Sequence, residues 1–323
     1  MIEGFFLLNK PSGISSAKFL NKFKLSLKEI LKENFQKKTK IGHGGTLDPF
    51  ANGLLITAVG REFTKSLFLF LKKLDKTYQA KIVLGVSSST DDIEGEKIFH
   101  SLKRLPSCQE IEVAINQLAQ KRTQKPPRFS AVKIKGTPAY KLSRQKINFE
   151  VKEKEVSLIS YKIKSVSYLK ETIELELELK VSAGFYVRSF ARDLGEILKT
   201  GGYVKELTRT KIGYFSLDSA LALEDLKGAI EMNFEAKGKV QGVGYRFLAL
   251  QSASNLGIKG FCCNLVDLPA IRVVAQGDLI SLSRFLEILK KGPPSAQIEE
   301  LKIFFQKPTF LRENFEIIED QIS

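Results

Sequence analysis

The chain of 323 residues has few of the side chains that bind metals or form covalent cross-links. It contains three cysteines, two histidines and no tryptophan. Cys108, Cys262 and Cys263 form no disulfide framework, and neither they nor His43 and His100 have the spacing of a metal site. We therefore expect a protein of the reducing cytoplasm that uses no zinc and no other cofactor.

Long apolar runs are missing as well. The apolar run at residues 5–8 ends at Asn9, Lys10 and Pro11 and is too short for the hydrophobic region of a signal peptide. No stretch approaches the roughly 20 apolar residues of a membrane span. With 43% apolar and 27% charged residues, the composition is typical of globular proteins, and the length allows two domains. We expect no membrane partner, and nothing in the sequence indicates an obligate protein partner.

Positive charge is in excess and unevenly distributed. The net charge is +15, from 51 basic and 36 acidic residues. Residues 1–232 contain 40 basic and 26 acidic residues, residues 233–308 contain 10 and 6, and the tail from Thr309 contains 1 and 4. Basic surfaces bind phosphate backbones through counterion release, so nucleic acid is the leading candidate partner.

Hydrophobic periodicity indicates helices and strands in irregular order. Residues 5–8, 77–84 and 171–181 are predicted strands, and the last of these, ETIELELELKV, alternates throughout. Helical spacing predicts helices over residues 17–35, 110–120 and 190–199. Because no regular βαβα rhythm occurs, the α+β class fits better than a doubly wound sheet.

A smaller unit begins near residue 232. Residues 234–306 follow the order strand, glycine-rich loop, helix, strand, strand, helix, strand. This is the βαββαβ order of a ferredoxin-like sandwich. The sequence therefore predicts domains at residues 1–232 and 233–308, followed by a short acidic tail at residues 309–323 without a recognisable motif.

One carboxylate stands in a glycine-rich stretch, IGHGGTLDPFANGLL, which begins at Ile41. Taken alone, Asp48 followed by Pro49 is most often a turn residue or a helix N-cap with proline at the first helical position. A catalytic carboxylate is the alternative, and other segments of the chain must decide between the two.

Several segments together resemble the TruB-type tRNA pseudouridine synthases over about residues 4–220. They are NKPSGISS, IGHGGTLDPFANGLL, KTYQAKIVLG, QKPPRFSAVKIKGTPAY, SAGFYVRSFARDLGE and GGYVKELTRTKIGYF. The resemblance implies a mixed-sheet catalytic domain that isomerises uridine to pseudouridine in tRNA, with uridine 55 of the T-loop as the target. It implies no metal or nicotinamide, since the reaction consumes neither electrons nor water.

The resemblance also implies roles for single residues. Asp48 matches the nucleophile, and Arg188 matches the arginine that keeps this carboxylate ionised. Tyr78 matches the tyrosine that stacks on the target base, and Leu207 matches an apolar residue beside it. His43 matches the histidine that enters the RNA loop next to the displaced nucleotide. The target base must leave its stack, at a cost of a few kcal/mol.

The smaller unit resembles an acylphosphatase through the segments GKVQGVGYRF, KGFCCN, VVAQG and KKGPPSAQIEE. The resemblance implies metal-free hydrolysis of a carboxyl–phosphate anhydride. Arg246 would hold the phosphate oxygens, and Asn264 would orient the attacking water. The phosphate would also bind to the backbone N–H groups of a loop formed by Gln241, Gly242, Val243 and Gly244. The segment LVDLPA after Asn264 departs from the Asp-Gly turn usual in the family.

Two alternatives remain open from the sequence. The smaller unit stands where relatives carry a small RNA-binding domain, so it could be a non-catalytic RNA-binding or docking module. The larger domain could act mainly as a tRNA-binding folding chaperone. We expect tRNA as the partner of the larger domain and a small acyl phosphate as the substrate of the smaller one.

Overall fold

The computed structural model of the chain describes residues 2–36 and 38–322, so Met1, Lys37 and Ser323 lie outside it. It contains two compact units. The first comprises Met1–Asp48, Gly53–Leu71 and Phe215–Ser323, and the second comprises Pro49–Asn52 and Lys72–Tyr214. The first unit therefore combines the N-terminal segments of the chain with the whole of the predicted ferredoxin-like region.

The helices fall close to the predicted positions. No helix within the described residues is both long enough and apolar enough to cross a bilayer. Short 3-10 helices span Lys32–Asn34, Leu217–Ser219 and Glu224–Lys227. The α-helices are α1 (Ser16–Leu31), α2 (Arg61–Lys72), α3 (Cys108–Gln120), α4 (Ala139–Arg144), α5 (Val187–Ile197), α6 (Tyr245–Asn255) and α7 (Leu279–Lys291).

The strands include long sheet strands and several short pairs. They are β1 (Gly4–Lys10), β2 (Ile41–Gly44), β3 (Asn52–Val59), β4 (Lys76–Leu84), β5 (Val86–Ser88), β6 (Lys97–Phe99), β7 (Thr123–Gln124), β8 (Lys133–Ile134), β9 (Thr137–Pro138), β10 (Lys154–Glu155), β11 (Leu158–Tyr168), β12 (Ile173–Val181), β13 (Gly202–Ile212), β14 (Phe215–Ser216), β15 (Ile230–Lys239), β16 (Lys259–Leu265), β17 (Ala270–Gly277), β18 (Gln297–Gln306) and β19 (Phe315–Ile317).

The first unit is built on a continuous mixed sheet. Strand β1 lies antiparallel to β3, and β2 pairs with the other side of β3. On its opposite side β1 pairs in parallel with β18, with Phe5 opposite Phe304 and Phe6 opposite Phe305. The sheet continues from β18 through β15, β17 and β16 to β19. One sheet thus contains strands from both of the families that the sequence resembles.

Phenylalanine side chains pack on both faces of the parallel pair β1 and β18. On one face the rings of Phe6 and Phe305 stack with centroids 4.3 Å apart, and Phe23 of α1 meets Phe6 edge-on. Both Phe6 and Phe305 are fully buried in a core that α1, α6 and α7 cover. On the other face Phe5 lies 5.3 Å from Phe70 of α2, because successive strand residues point to opposite sides.

The predicted βαββαβ order is confirmed by β15, α6, β16, β17, α7 and β18. The predicted tail is not structureless, since β19 pairs in parallel with β16 at the sheet edge. Periodicity did not indicate this strand because only three residues form it. The domain boundary predicted near residue 232 separates the two sets of motifs, and it stays a prediction.

The second unit contains the antiparallel sheet β11–β12–β4–β13. Strand β12 buries alternate residues, as its period-two sequence predicted. Helix α5 packs on β13 and β4, and α3 packs on α5 and β11. The mixed α/β architecture agrees with the predicted class.

The Phe6–Phe305 contact gives a test of the shared core. Phe305→Ala should lower the free energy of unfolding by about 3–5 kcal/mol, because truncating a buried phenylalanine leaves a cavity. Chemical denaturation followed by circular dichroism measures this change. The control is Phe247→Ala, whose side chain is 65% exposed and should change stability by less than about 0.5 kcal/mol. Equal effects of the two substitutions would contradict the shared core.

Candidate active sites

Asp48 lies in the loop between β2 and β3 of the first unit, and its side chain is half-buried. No helix follows it, because β3 begins at Asn52, so the N-cap alternative is wrong. A side chain at Gly44 would meet the end of the Leu71 side chain of α2, so the last residue of β2 passes close to α2.

The residue before Asp48 is held by a serine from another motif. The buried hydroxyl of Ser16 donates to the carbonyl of Leu47 and accepts from the Leu47 N–H, both at 2.9 Å. Lys10 supports the turn that leads to Ser16, since its Nζ donates to the carbonyls of Pro11 and Ile14 at 2.7 Å each. The NKPSGISS motif is part of the resemblance, but its sequence does not predict these contacts.

His43 occupies β2, one residue before the strand ends at Gly44. It pairs with Thr57 of β3 and is half-buried. Its backbone is therefore fixed by the sheet of the first unit, and its predicted contact with RNA remains a proposal.

Tyr78 and Leu207 lie on one face of the second unit's sheet. Tyr78 on β4 faces Arg209 of β13, and Leu207 faces Ala80, two residues along β4. Residues two apart on a strand share a face, and directly paired residues do too, so Tyr78 and Leu207 are on the same side. Both are buried, with 9% and 7% exposure.

The same face carries two buried basic residues that sequence analysis did not select. Arg209 is 1% exposed and Lys76 is 8% exposed. Burial, together with the charge of Arg209, lowers the pKa of Lys76 to about 8. The Lys76 Nζ donates to the carbonyl of Leu74 at 2.6 Å. Both residues lie in segments that are part of the resemblance, KTYQAKIVLG and GGYVKELTRTKIGYF. The alternating pattern of a strand does not by itself show that Lys76 and Arg209 are buried.

Arg188, in the first turn of α5, forms a buried ion pair within the second unit. Its Nη1 lies 3.2 Å from Oδ2 of Asp92, and the two side chains are 3% and 5% exposed. Nη1 also donates to the carbonyl of Thr90, and Nη2 donates to that of Phe129 at 3.0 Å. Asp92 stands in the STDDIEG segment, in which the sequence predicted no site residue.

A second network adjoins this pair. Arg192 contacts Asp91 at 3.2 Å and Asp193 at 2.8 Å. Burial raises the pKa of Asp91 despite the nearby charge of Arg192. Helix α5 thus presents two arginines to neighbouring acids of one loop. The predicted pairing of Arg188 with Asp48 stays a prediction.

The acylphosphatase-like loop, residues 241–244, lies between β15 and α6. Its Gly242 and Gly244 have φ of +70° and +83°, the left-handed region that favours glycine. Within the described residues, the backbone N–H groups at 241–244 donate to no protein acceptor. Such a run of amides before a helix N-terminus can bind an anion.

The side chain of Gln241 has a structural role that the sequence did not indicate. Its Nε2 donates to the carbonyls of Leu265, Leu268 and Ala270, at 2.8 to 3.2 Å. These carbonyls belong to the LVDLPA connection that departs from the family's usual turn. Gln241 therefore ties this altered connection to the loop at residues 241–244.

Arg246 and Asn264 lie close together at one side of this loop. Arg246 is in the first turn of α6, and Asn264 is on β16. Both contact the carboxylate of Asp320, a residue of the C-terminal segment that sequence analysis treated as a tail. The neighbouring thiols are not candidate nucleophiles, since burial raises the pKa of Cys262 to about 12 and also raises that of Cys263.

Comparison with known proteins shows which families the two parts of the chain resemble. Residues 30–187 match the family model "TruB family pseudouridylate synthase (N terminal domain)", and residues 188–243 match "tRNA pseudouridylate synthase B C-terminal domain". Residues 232–317 match the acylphosphatase model. The molecule therefore combines a pseudouridine synthase with an acylphosphatase domain.

Two named relatives are tRNA pseudouridine synthases. A tRNA pseudouridine synthase B of Ureaplasma urealyticum is 38% identical over 69% of this chain and 92% of its own length. One from Mycoplasma mobile is 40% identical over 66% and 69%. The crystal structure of acylphosphatase from Bacillus subtilis is 24% identical over 28% of this chain and 98% of that chain, with a TM-score of 0.27. The chain belongs to the TruB family of tRNA pseudouridine synthases, which are RNA-binding isomerases.

The pKa of Lys76 predicts how stability changes with pH. Between the folded value of about 8 and the ordinary value of 10.5, the unfolded chain holds a proton that the folded chain has lost. The free energy of unfolding should therefore rise with pH in this window, by at most about 1.4 kcal/mol per pH unit from this group. Below pH 8 both states are protonated, and the contribution to the slope vanishes.

Denaturant titrations between pH 7 and 10 measure this slope. Lys76→Met should reduce it, whereas Lys73→Met, a matched change at an exposed position, should leave it unchanged. Equal slopes in the wild type and Lys76→Met would show that Lys76 does not titrate in this range.

Proposed function

We propose that the enzyme converts uridine 55 in the T-loop of tRNA to pseudouridine, with Asp48 as the nucleophile. The observation that carries this proposal is the fixed loop around Asp48. Gly44 allows close packing, and the Ser16 hydroxyl bonds both backbone polar groups of Leu47, the preceding residue. A fixed backbone next to Asp48 limits the positions of its carboxylate before substrate arrives, which lowers the entropic part of a reaction barrier.

The chemistry needs one covalent step and its reversal. The carboxylate of Asp48 attacks the sugar or the base, and the C1′–N1 bond breaks. The uracil turns, a C1′–C5 bond forms, and the proton on C5 leaves while N1 gains one. The aspartate is released unchanged, so the reaction is a balanced isomerisation.

The remaining roles follow the family resemblance. Arg188 supplies the cation that keeps Asp48 ionised, because a nearby guanidinium favours the charged carboxylate. Tyr78 stacks on the target base and helps to take the C5 proton, and Leu207 packs beside it. His43 fills the space that the displaced nucleotide leaves. Basic residues on the surface hold the tRNA backbone, and the cytoplasm is the compartment that contains this substrate.

Asp48→Asn tests the synthase proposal. With T-loop RNA labelled with tritium at uracil C5, the wild type should release tritium, and Asp48→Asn should lower the rate at least about a thousandfold, because the nucleophile is lost. Asp218→Asn, a matched change at an exposed position of the same unit, should keep the wild-type rate. Undiminished release by Asp48→Asn would refute the assignment of the nucleophile.

We further propose that the acylphosphatase domain hydrolyses small acyl phosphates. The amides of residues 241–244 and the guanidinium of Arg246 offer a set of donors for a phosphate group. Asn264 lies beside Arg246 and can orient the attacking water. Water adds to the substrate, the carboxyl–phosphate bond breaks, and a carboxylate and inorganic phosphate leave.

Benzoyl phosphate hydrolysis tests this second activity. Arg246→Ala should lower kcat/KM at least about a hundredfold, because a donor to the phosphate oxygens is lost in the transition state. Arg284→Ala on the exposed side of α7 is the matched control and should retain activity. Absence of hydrolysis by the wild type, together with tRNA binding that Arg246→Ala weakens, would favour the docking-module alternative.

A further inference from the structure

The C-terminal segment, residues 312–321, lies along the edge of the acylphosphatase sheet. Strand β19 pairs in parallel with β16, with Gly260 opposite Phe315 and Cys262 opposite Ile317. Main-chain hydrogen bonds extend this pairing on both sides. Gly260 N–H donates to the Asn314 carbonyl at 2.9 Å, and Gln321 N–H donates to the Asn264 carbonyl at 3.0 Å. The segment thus adds a strand to the edge that carries Asn264.

Apolar contacts anchor the first part of this C-terminal segment. Phe315 is 8% exposed and meets Phe285 of α7 edge-on, at a centroid distance of 5.9 Å. Ile318 packs against the cluster of Phe261, Cys263 and Val274. Asp320 comes two residues later and is exposed. Main-chain hydrogen bonds hold the backbone on both sides of Asp320, from Ile318 N–H to the Cys262 carbonyl at 3.0 Å and from Val266 N–H to the Gln321 carbonyl at 2.9 Å. The exposed side chain of Asp320 can therefore turn away while this backbone stays in place.

The carboxylate of Asp320 binds the two side chains that the hydrolase needs. Oδ1 lies 2.8 Å from Nη1 of Arg246 and accepts the backbone N–H of Asn264 at 3.2 Å. Oδ2 accepts from Nδ2 of Asn264, also at 3.2 Å. The hydrogen bond from the Asn264 side chain and, more weakly, the charge of Arg246 lower the pKa of Asp320. The carboxylate is therefore ionised at neutral pH.

This arrangement opposes the binding of a second anion. A phosphate group at Arg246 would share the guanidinium with a carboxylate already in contact with it, and like charges close together repel. The same carboxylate also uses one donor of the Asn264 amide, which is the group that would orient water. A charge-assisted hydrogen bond inside the protein must then be exchanged for one to the substrate.

We propose that Asp320 is an internal anionic ligand that inhibits the acylphosphatase site, and that an acyl phosphate binds fully only after this carboxylate leaves Arg246 and Asn264. The inference rests on the proposed hydrolase function of this site. It makes the C-terminal segment an autoinhibitory strap, in which the backbone is fixed to β16 and the side chain of Asp320 is the part that moves.

Asp320→Asn in the full-length protein is the direct test, because it removes the charge and keeps the size of the side chain. Its affinity for inorganic phosphate, measured by isothermal titration calorimetry, should increase at least about tenfold over the wild type. KM for benzoyl phosphate should fall by a similar factor, with kcat changed less than about twofold. Glu319→Gln removes an exposed charge one residue away and should match the wild type.

Other outcomes would overturn the inference. Weaker phosphate binding or a lower kcat in Asp320→Asn would show that the carboxylate positions Arg246 and Asn264 rather than blocking them. An equal gain in phosphate affinity in Glu319→Gln would show only a general effect of negative charge on the surface. A third outcome is that Arg246→Ala abolishes phosphate binding and Asp320→Asn leaves it unchanged. That result would reject inhibition by Asp320 and would still support the hydrolase function. If neither the wild type nor Asp320→Asn binds phosphate, both the inhibition by Asp320 and the hydrolase function are rejected.

Discussion

The parallel pairing of β1 with β18 is the interaction on which the first unit depends. It places Phe6 against Phe305 in one buried core and continues the sheet from the N-terminal strand into the acylphosphatase fold. Strand β1 leads into the turn that Lys10 supports and then to Ser16, which holds the residue before Asp48. Strand β18 completes the sheet on which the acylphosphatase site is built. The loop that carries Asp48 and the acylphosphatase domain therefore belong to one unit with one hydrophobic core.

Charge placement differs between the sites because their exposure differs. Arg188 and Asp92 are almost fully buried, so breaking their contact would be costly. Arg246 and Asp320 are 37% and 39% exposed, so water competes with their contact, and the pair can separate at a smaller cost. The first pair suits a fixed scaffold, whereas the second suits a contact that substrate displaces.

Sequence patterns predicted the elements well where one face of an element is buried. The alternation in ETIELELELKV follows from a strand whose inner residues pack on a core, and β12 confirms it. The βαββαβ order was equally readable, since glycines and prolines end its helices. The segment around β19 was missed, because three residues show no periodicity and their pairing partner lies far away in the chain. The two families were recognised from whole motifs rather than from single residues.

The sequence by itself determined the family, the α+β class, the main strands and helices, and the motif that contains Asp48. These depend on local composition and spacing, which are properties of neighbouring residues. Only the tertiary structure decided that Ser16 holds Leu47, that Arg188 pairs with Asp92, and that Asp320 reaches Arg246. The partners in these contacts are 31, 96 and 74 residues apart, and hydrogen bonds and ion pairs form between whichever groups the folded chain brings within about 3 Å.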